Sequence, residues 1–172
     1  MASRAPLSLK ARAIGLLAQR EHSRTELKRK LLRIEQQRAR LAAFEAAHDG
    51  DGSPAAAEDS IESSEIAVDA LLDTLAAEGY LDETRFVESR LHLRASHFGT
   101  QRIQQELAQH GLKLDADQKA ALRDTELERA REVWHKRFGA DPSSEPAERA
   151  RQMRFLLGRG FAPDLVHRLL RA

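Results

Sequence analysis

Three stretches of this chain stack without a gap over sixteen positions: LLAQREHSRTELKRKL (16–31), HLRASHFGTQRIQQEL (92–107) and FLLGRGFAPDLVHRLL (155–170). One column holds His22, Phe98 and Phe161. The next holds Ser23, Gly99 and Ala162. Apolar columns follow at Leu27, Ile103 and Val166, then at Leu31, Leu107 and Leu170. A ring, a small residue and an apolar residue four positions later describe a tight corner between two helices. The ring plugs the inside of the corner, the small residue lets the second helix start, and the apolar positions share one helix face. A helix pair cannot bury its apolar stripe alone, so a third helix must close each unit. Units of this kind repeated in tandem give an elongated array. Any three corners of an all-α protein look alike over a few residues; a match over sixteen columns favours a repeat.

The rest of the chain agrees with helices. Apolar residues recur at helical spacing and no stretch alternates as a half-buried strand would. Ser8 caps a helix carrying Leu9, Ala13, Leu16 and Leu17, and Ser23 with Glu26 forms a capping box for a helix running on through EQQRARLAAFEAA. Gly79 sits where a left-handed residue can end a helix, and the helix carrying Ile103 and Leu107 stops at Gly111. Asp82 caps a helix with Phe86 and Leu93 on one face. Asp115 with Gln118, and Thr125 with Glu128, cap two more, and Pro163 opens the last. The expected architecture is all-α: an elongated tandem array of three three-helix, helix-turn-helix-like repeats, about nine helices in all. The predicted boundaries are 1–81, with a flexible acidic insert at about 40–60, then 82–124 and 125–172. HDGDGSPAAAEDS (48–60) and ADPSSEP (140–146) read as loops.

Charge is distributed unevenly. Residues 1–40 hold 11 basic and 3 acidic side chains, 41–88 hold 1 and 13, 89–138 hold 10 and 7, and 139–172 hold 6 and 4. Such separation can steer a polyanion or a charged protein. Of the 28 basic residues, 22 are Arg, the better bidentate partner for phosphate and carboxylate. The absence of cysteine excludes disulfides, thiolate metal sites and a Cys nucleophile. No apolar run is long enough for a membrane span and no leader-like stretch opens the sequence, so the expectation is a soluble cytoplasmic protein.

No catalytic, metal or cofactor motif is present: no G-x-x-x-x-G-K-[ST], no H-E-x-x-H, no G-x-S-x-G. The seven histidines are scattered. Acidic pairs such as Asp82-Glu83 suit helix N-termini better than acid–base chemistry. The basic residues cluster instead at the corners: Arg24 and Lys28 at the first, Arg85, Arg90, Arg94 and Arg102 at the second, Arg154 and Arg159 at the third. They can track a phosphate backbone or an acidic groove. They can equally pair with Glu83, Glu88 and Glu106 and serve solubility. Phe98 reads as core rather than as a base-stacking platform.

AIGLLAQREHSRTELKRKL (13–31), GYLDETRFVESRLHLRASHFGTQRIQQEL (79–107) and RQMRFLLGRGF (151–161) resemble the three signature regions of the RecX regulatory proteins, bacterial modulators of the RecA recombinase. His97-Phe98-Gly99 stands where that family often has Gly-Tyr-Gly, and Thr100 where Pro is common. The resemblance implies a non-enzymatic protein without cofactors that binds the RecA filament in its groove. It implies inhibition of ATP hydrolysis and strand exchange, and binding of single- and double-stranded DNA with little sequence preference. The residues singled out for recombinase or DNA contact are Arg85, Arg90, Arg94, Arg102, Arg24, Lys28, Arg154 and Arg159, with His22, Phe98, Gly99 and Phe161 as structural corners. The protein is expected to be a monomer with no membrane partner. A second reading is a helix-turn-helix transcriptional regulator with the helix after HFG in a major groove.

Overall fold

The structure, a computed structural model, describes residues 7–48, 56–139 and 144–171. Every regular element among the described residues is an α-helix. There are nine: α1 (Leu9–Leu17), α2 (Arg24–His48), α3 (Ala56–Ala77), α4 (Glu83–Arg94), α5 (Thr100–Ala108), α6 (Ala116–Asp124), α7 (Glu126–Phe138), α8 (Pro146–Gly158) and α9 (Pro163–Arg171). The chain divides into two compact units, Met1–Phe86 and Val87–Ala172.

In the first unit α1 and α3 both pack on α2. Leu27 and Leu31 of α2 meet Val68, Leu72 and Leu75 of α3 and Ala13 of α1 in one buried cluster. These positions are four, or four and three, residues apart on their helices, so each helix offers one continuous stripe to the core. Caps set the starts. Ser8 Oγ accepts from the Ala11 N–H and Ser23 Oγ from the Glu26 N–H (3.1 Å). The acidic stretch predicted as a flexible insert is largely helical where it is described: α2 continues to His48 and α3 already begins at Ala56. Alanine is the best helix former, and Glu58 and Asp59 favour a helix N-terminus, so AAAEDS nucleates α3 rather than extending the loop. The remainder of the predicted loop, 49–55, lies outside the described residues, as do 140–143 of the second one.

In the second unit α7 packs on α6, α8 and α9, and α5 on α6. Trp134, Phe161, Val166, Leu169 and Leu170 share a buried cluster with Ala130, Val133, Leu156 and Leu165. Two expectations fail here. Thr125 does not cap α7: its hydroxyl donates back to the Ala121 carbonyl (3.0 Å), continuing the bonding of α6. Leu93, seven residues after Phe86 on α4, is exposed rather than buried beside it.

Three helices end in the same way. Gly79, Gly111 and Gly160 take positive φ. The residue after each, Tyr80, Leu112 or Phe161, donates its N–H to the carbonyl five positions back, that of Leu75, Leu107 or Leu156. This is the Schellman arrangement, in which glycine occupies the left-handed position without a Cβ penalty.

Candidate functional site

All six predicted apolar column residues, Leu27, Ile103, Val166, Leu31, Leu107 and Leu170, are buried. The ring column is less uniform. His22 and Phe161 are fully buried, whereas Phe98 is half-buried and belongs to neither core cluster. The small column does three different jobs. Ser23 is a cap, Ala162 packs against the core around Trp134, and Gly99 meets another corner.

That meeting is the centre of the second unit. The Gly99 N–H donates to the Arg159 carbonyl (2.9 Å) and the Gln101 N–H to the Gly160 carbonyl (3.2 Å). A Cβ on Gly99 would lie 2.1 Å from the Gly160 carbonyl oxygen, and one on Gly160 would lie 2.5 Å from the Arg102 backbone nitrogen. The SHFG and GRGF corners, some sixty residues apart, therefore dock backbone to backbone. Only glycine fits at either position. Gly99 was expected to relieve crowding within its own corner; the crowding it relieves comes from the other one.

Two residues of α7 hold the docked corner. Glu126 is buried; one carboxylate oxygen accepts from the Thr100 N–H (3.0 Å) and the other from the Thr100 hydroxyl (2.9 Å). A carboxylate thus caps α5 from across the unit, where the helix dipole favours negative charge. Arg129 donates to the carbonyls of Ala95 (2.8 Å), Phe98 (2.7 Å) and Leu122 (2.7 Å). Its burial lowers its pKa, opposed by the nearby Glu126 carboxylate. Neither residue was singled out from the sequence. Glu126 reads there as a first-turn acid, and nothing local signals a partner 26 positions away.

Around this corner the fold gathers three of the predicted contact residues. The Arg94 and Arg159 guanidinium carbons lie 5.4 and 5.6 Å from the centre of the Phe98 ring. Arg159 also lies over Phe155 at 4.7 Å and donates to the His97 carbonyl (3.1 Å). Glu106 pairs with Arg90 (3.3 Å) and with Arg94 (3.1 Å), as its position on the α5 face suggests. Glu106 is thus shared by two guanidiniums, and Arg159 meets a carbonyl and two rings. The aromatic faces attract cations without neutralising them. The Arg102 side chain is exposed nearby in sequence and Arg154 is exposed on α8; neither has an ion pair or hydrogen bond among the described residues.

The predicted contact residues of the first unit are engaged internally. Arg24 pairs with Asp73 (2.8 Å) and Lys28 with Asp69 (2.7 Å), joining α2 to α3. Arg85 pairs with Glu21 (3.0 Å) and donates to the carbonyls of Gly79 and Tyr80. Beneath them, His22 Nδ1 lies 3.3 Å from a Glu26 carboxylate oxygen that also accepts from Arg20 (3.1 Å). Burial lowers the His22 pKa, and the charge of Arg20 adds to this. Burial works to raise that of Glu26, but the Arg20 guanidinium bonded to it, with His22 and Lys30, outweighs this and holds it at about 2. No group of metal-ligating side chains exists among the described residues, and no described helix is long and apolar enough to cross a membrane.

The described residues define an all-α protein of packed helices with arginines at its corners. The family model for the third three-helix domain of RecX matches residues 124–170. A regulatory protein RecX of Leptothrix cholodnii is 47% identical over 99% of this chain and 93% of its own length. Those of Ralstonia nicotianae and Herminiimonas arsenicoxydans are 44% and 42% identical over 97% and 96% of this chain. The chain belongs to the RecX family.

Proposed function

We propose that this protein is a non-enzymatic regulator of the RecA recombinase in recombination and DNA repair. It binds the recombinase filament in its groove as a cytoplasmic monomer and lowers the filament's ATPase and strand-exchange activity. DNA is bound alongside with little sequence preference. Its three-helix repeats, 1–81, 82–124 and 125–172, present the corner cations Arg90, Arg94, Arg159, Arg102 and Arg154, with Arg24, Lys28 and Arg85 as the N-terminal counterparts.

The observation that carries this reading is the gathering of Arg94 and Arg159 on Phe98, with Arg94 sharing the Glu106 carboxylate with Arg90. A half-buried excess of positive charge is screened less than an exposed one and is suited to an anionic partner. The test is the single-stranded-DNA-dependent ATPase of the cognate recombinase, titrated with this protein and with its Arg90→Ala/Arg94→Ala variant. Inhibition by the wild type below the DNA concentration, lost in the variant, is the expected result. No effect of either, with tight binding to one duplex sequence, replaces the proposal with a helix-turn-helix transcriptional regulator.

A further inference from the structure

We infer that Glu106 is a built-in stand-in for a phosphate: it occupies Arg90 and Arg94 in the free protein and is displaced when a phosphodiester of a single-stranded nucleic acid enters the Phe98 corner. This rests on the reading above that the corner meets the nucleoprotein filament, and it names the group taken up there and the residue that regulates its entry.

The geometry favours exchange over a permanent ion pair. Glu106 bonds Arg94 with both oxygens, Oε1 to Nε and Nη2 (3.2 and 3.1 Å) and Oε2 to Nε (3.1 Å), while Oε1 also pairs with Arg90. One carboxylate thus fills the forked donors of one arginine and part of a second, the contact that a phosphate's oxygens make. It leaves the third guanidinium, Arg159, compensated only by a carbonyl and two aromatic faces. No carboxylate among the described residues pairs with Arg159, so its positive charge is not neutralised by an ion pair there. Arg94 and Arg159 both lie against one ring, which favours keeping the two like charges near each other. A phosphodiester brings one negative charge and several strong acceptor oxygens to these guanidiniums. The Glu106 and Arg90 side chains are about one-fifth exposed and that of Arg94 more than one-third, so the pair is reachable from solvent. Phe98 is the positioning residue: held from behind by the Arg129 bond to its own carbonyl, it sets the place of the Arg94 and Arg159 guanidiniums. Nucleic acid is favoured over an acidic protein surface because guanidiniums held flat against rings can both contact a backbone phosphate and stack under a base, as cations do where single strands are held.

The experiment is fluorescence anisotropy of a labelled oligo(dT) strand with the full-length protein, over a salt series, for wild type, Glu106→Gln and Arg94→Gln/Arg159→Gln, with a thermal melt of each. Glu106→Gln should bind three- to tenfold more tightly at low salt. Its log–log salt slope should steepen by about 0.7, the value for one additional phosphate contact on a single strand. The double arginine variant should bind more weakly, and adding Glu106→Gln to it should restore nothing. Unchanged or weaker binding by a Glu106→Gln protein that melts normally overturns the inference. Should that variant melt early, Glu106→Asp serves in its place: a shorter carboxylate that reaches the arginines less well must also tighten binding, and failure to do so overturns it. Tighter binding of DNA-free recombinase, with oligo(dT) affinity unchanged, assigns the corner to protein carboxylates and overturns the nucleic-acid reading. Competition by inorganic phosphate at concentrations equal to those of the strand's nucleotides assigns it to a free anion instead and equally overturns it. The recombinase ATPase is followed separately: loss of inhibition with the strand-binding pattern intact overturns the proposed function and leaves this inference standing.

Discussion

The two units treat their cations in opposite ways. Residues 1–86 hold 12 basic and 15 acidic side chains, and residues 87–172 hold 16 and 12. In the first unit the basic face of α2 is matched by the acidic face of α3, so Arg24 and Lys28 each find a carboxylate across the helix pair, and Arg85 finds Glu21. In the second unit Arg131 pairs with Glu128 and Arg151 with Glu148 within single helices, but at the docked corner the carboxylates have other partners. Glu126 caps α5, and Glu106 is shared between two arginines. Arg129 is consumed by carbonyls, and Arg159 by a carbonyl and two rings. The same corner motif therefore stabilises one unit and leaves the other with a cationic surface. Similar sequence columns do not imply similar electrostatics, because the compensating charge comes from neighbouring helices and not from the motif.

The largest test of this contrast lies in the glycines. Gly99→Ala and Gly160→Ala each drive a methyl group into backbone of the other corner and should cost about 3 kcal/mol or more. Gly79→Ala shares the left-handed backbone of Gly160 but has open space around it. It should cost only about 1 kcal/mol, the strain of a Cβ at positive φ. Urea unfolding read by the fluorescence of the sole tryptophan, Trp134, reports the second unit, and circular dichroism reports both. Equal losses at Gly79 and Gly160 would remove the distinction between an isolated and a docked corner.

The next effect concerns the cap supplied from α7. Glu126→Ala leaves the Thr100 N–H and hydroxyl buried without partners and should cost about 2–3 kcal/mol; Thr100→Val should cost about 1 kcal/mol. A double-mutant cycle should show strong coupling between the two, and additivity would show that Glu126 acts through something other than Thr100.

Acid separates the units by a different route. Glu26, held at about 2 against an ordinary 4.5, stabilises the first unit above pH 4.5, and that contribution is lost as pH falls toward 2. His22, with a pKa below 6.5 when folded, contributes fully above pH 6.5 and loses its contribution as pH falls from there, because the unfolded chain then binds the proton more readily. Both groups lie in the first unit. Circular dichroism should therefore register loss of stability below pH 6.5 before Trp134 fluorescence does, and His22→Leu should flatten the part between pH 6.5 and 4.5. Coincident acid transitions in the two signals would contradict this.

The smallest effects are expected at the first unit's surface pairs. Arg24→Ala and Lys28→Ala should each change stability by about 0.5 kcal/mol or less, since solvent-exposed ion pairs contribute little. They should also weaken oligo(dT) binding less than Arg94→Ala does. A larger loss of binding from Arg24→Ala would move the anionic contact to the first unit and reverse the comparison.

Much of the helical framework was legible in the sequence because it is encoded locally. The caps at Ser8, Ser23, Asp82 and Asp115 act within one turn, and each finds its expected partner. The left-handed glycines at 79 and 111 end their helices as read, and the six apolar column residues are buried. Even the failures at Thr125 and at the start of α3 are failures of local competition: a hydroxyl choosing one helix over the next, and alanine propensity outweighing a neighbouring turn signal.

What the sequence alone determined, then, is an all-α chain of three-helix modules with arginines at its corners, since helical period, capping and side-chain charge are properties of short segments. What only the tertiary structure decided is which of those corners meet and which arginines stay uncompensated. Gly99 against Gly160, Glu126 on Thr100, and Arg94 with Arg159 about Phe98 join residues 26 to 65 positions apart. Their pairing follows from how helices pack around Trp134 and Phe161, where burial is gained collectively and no single segment carries the signal.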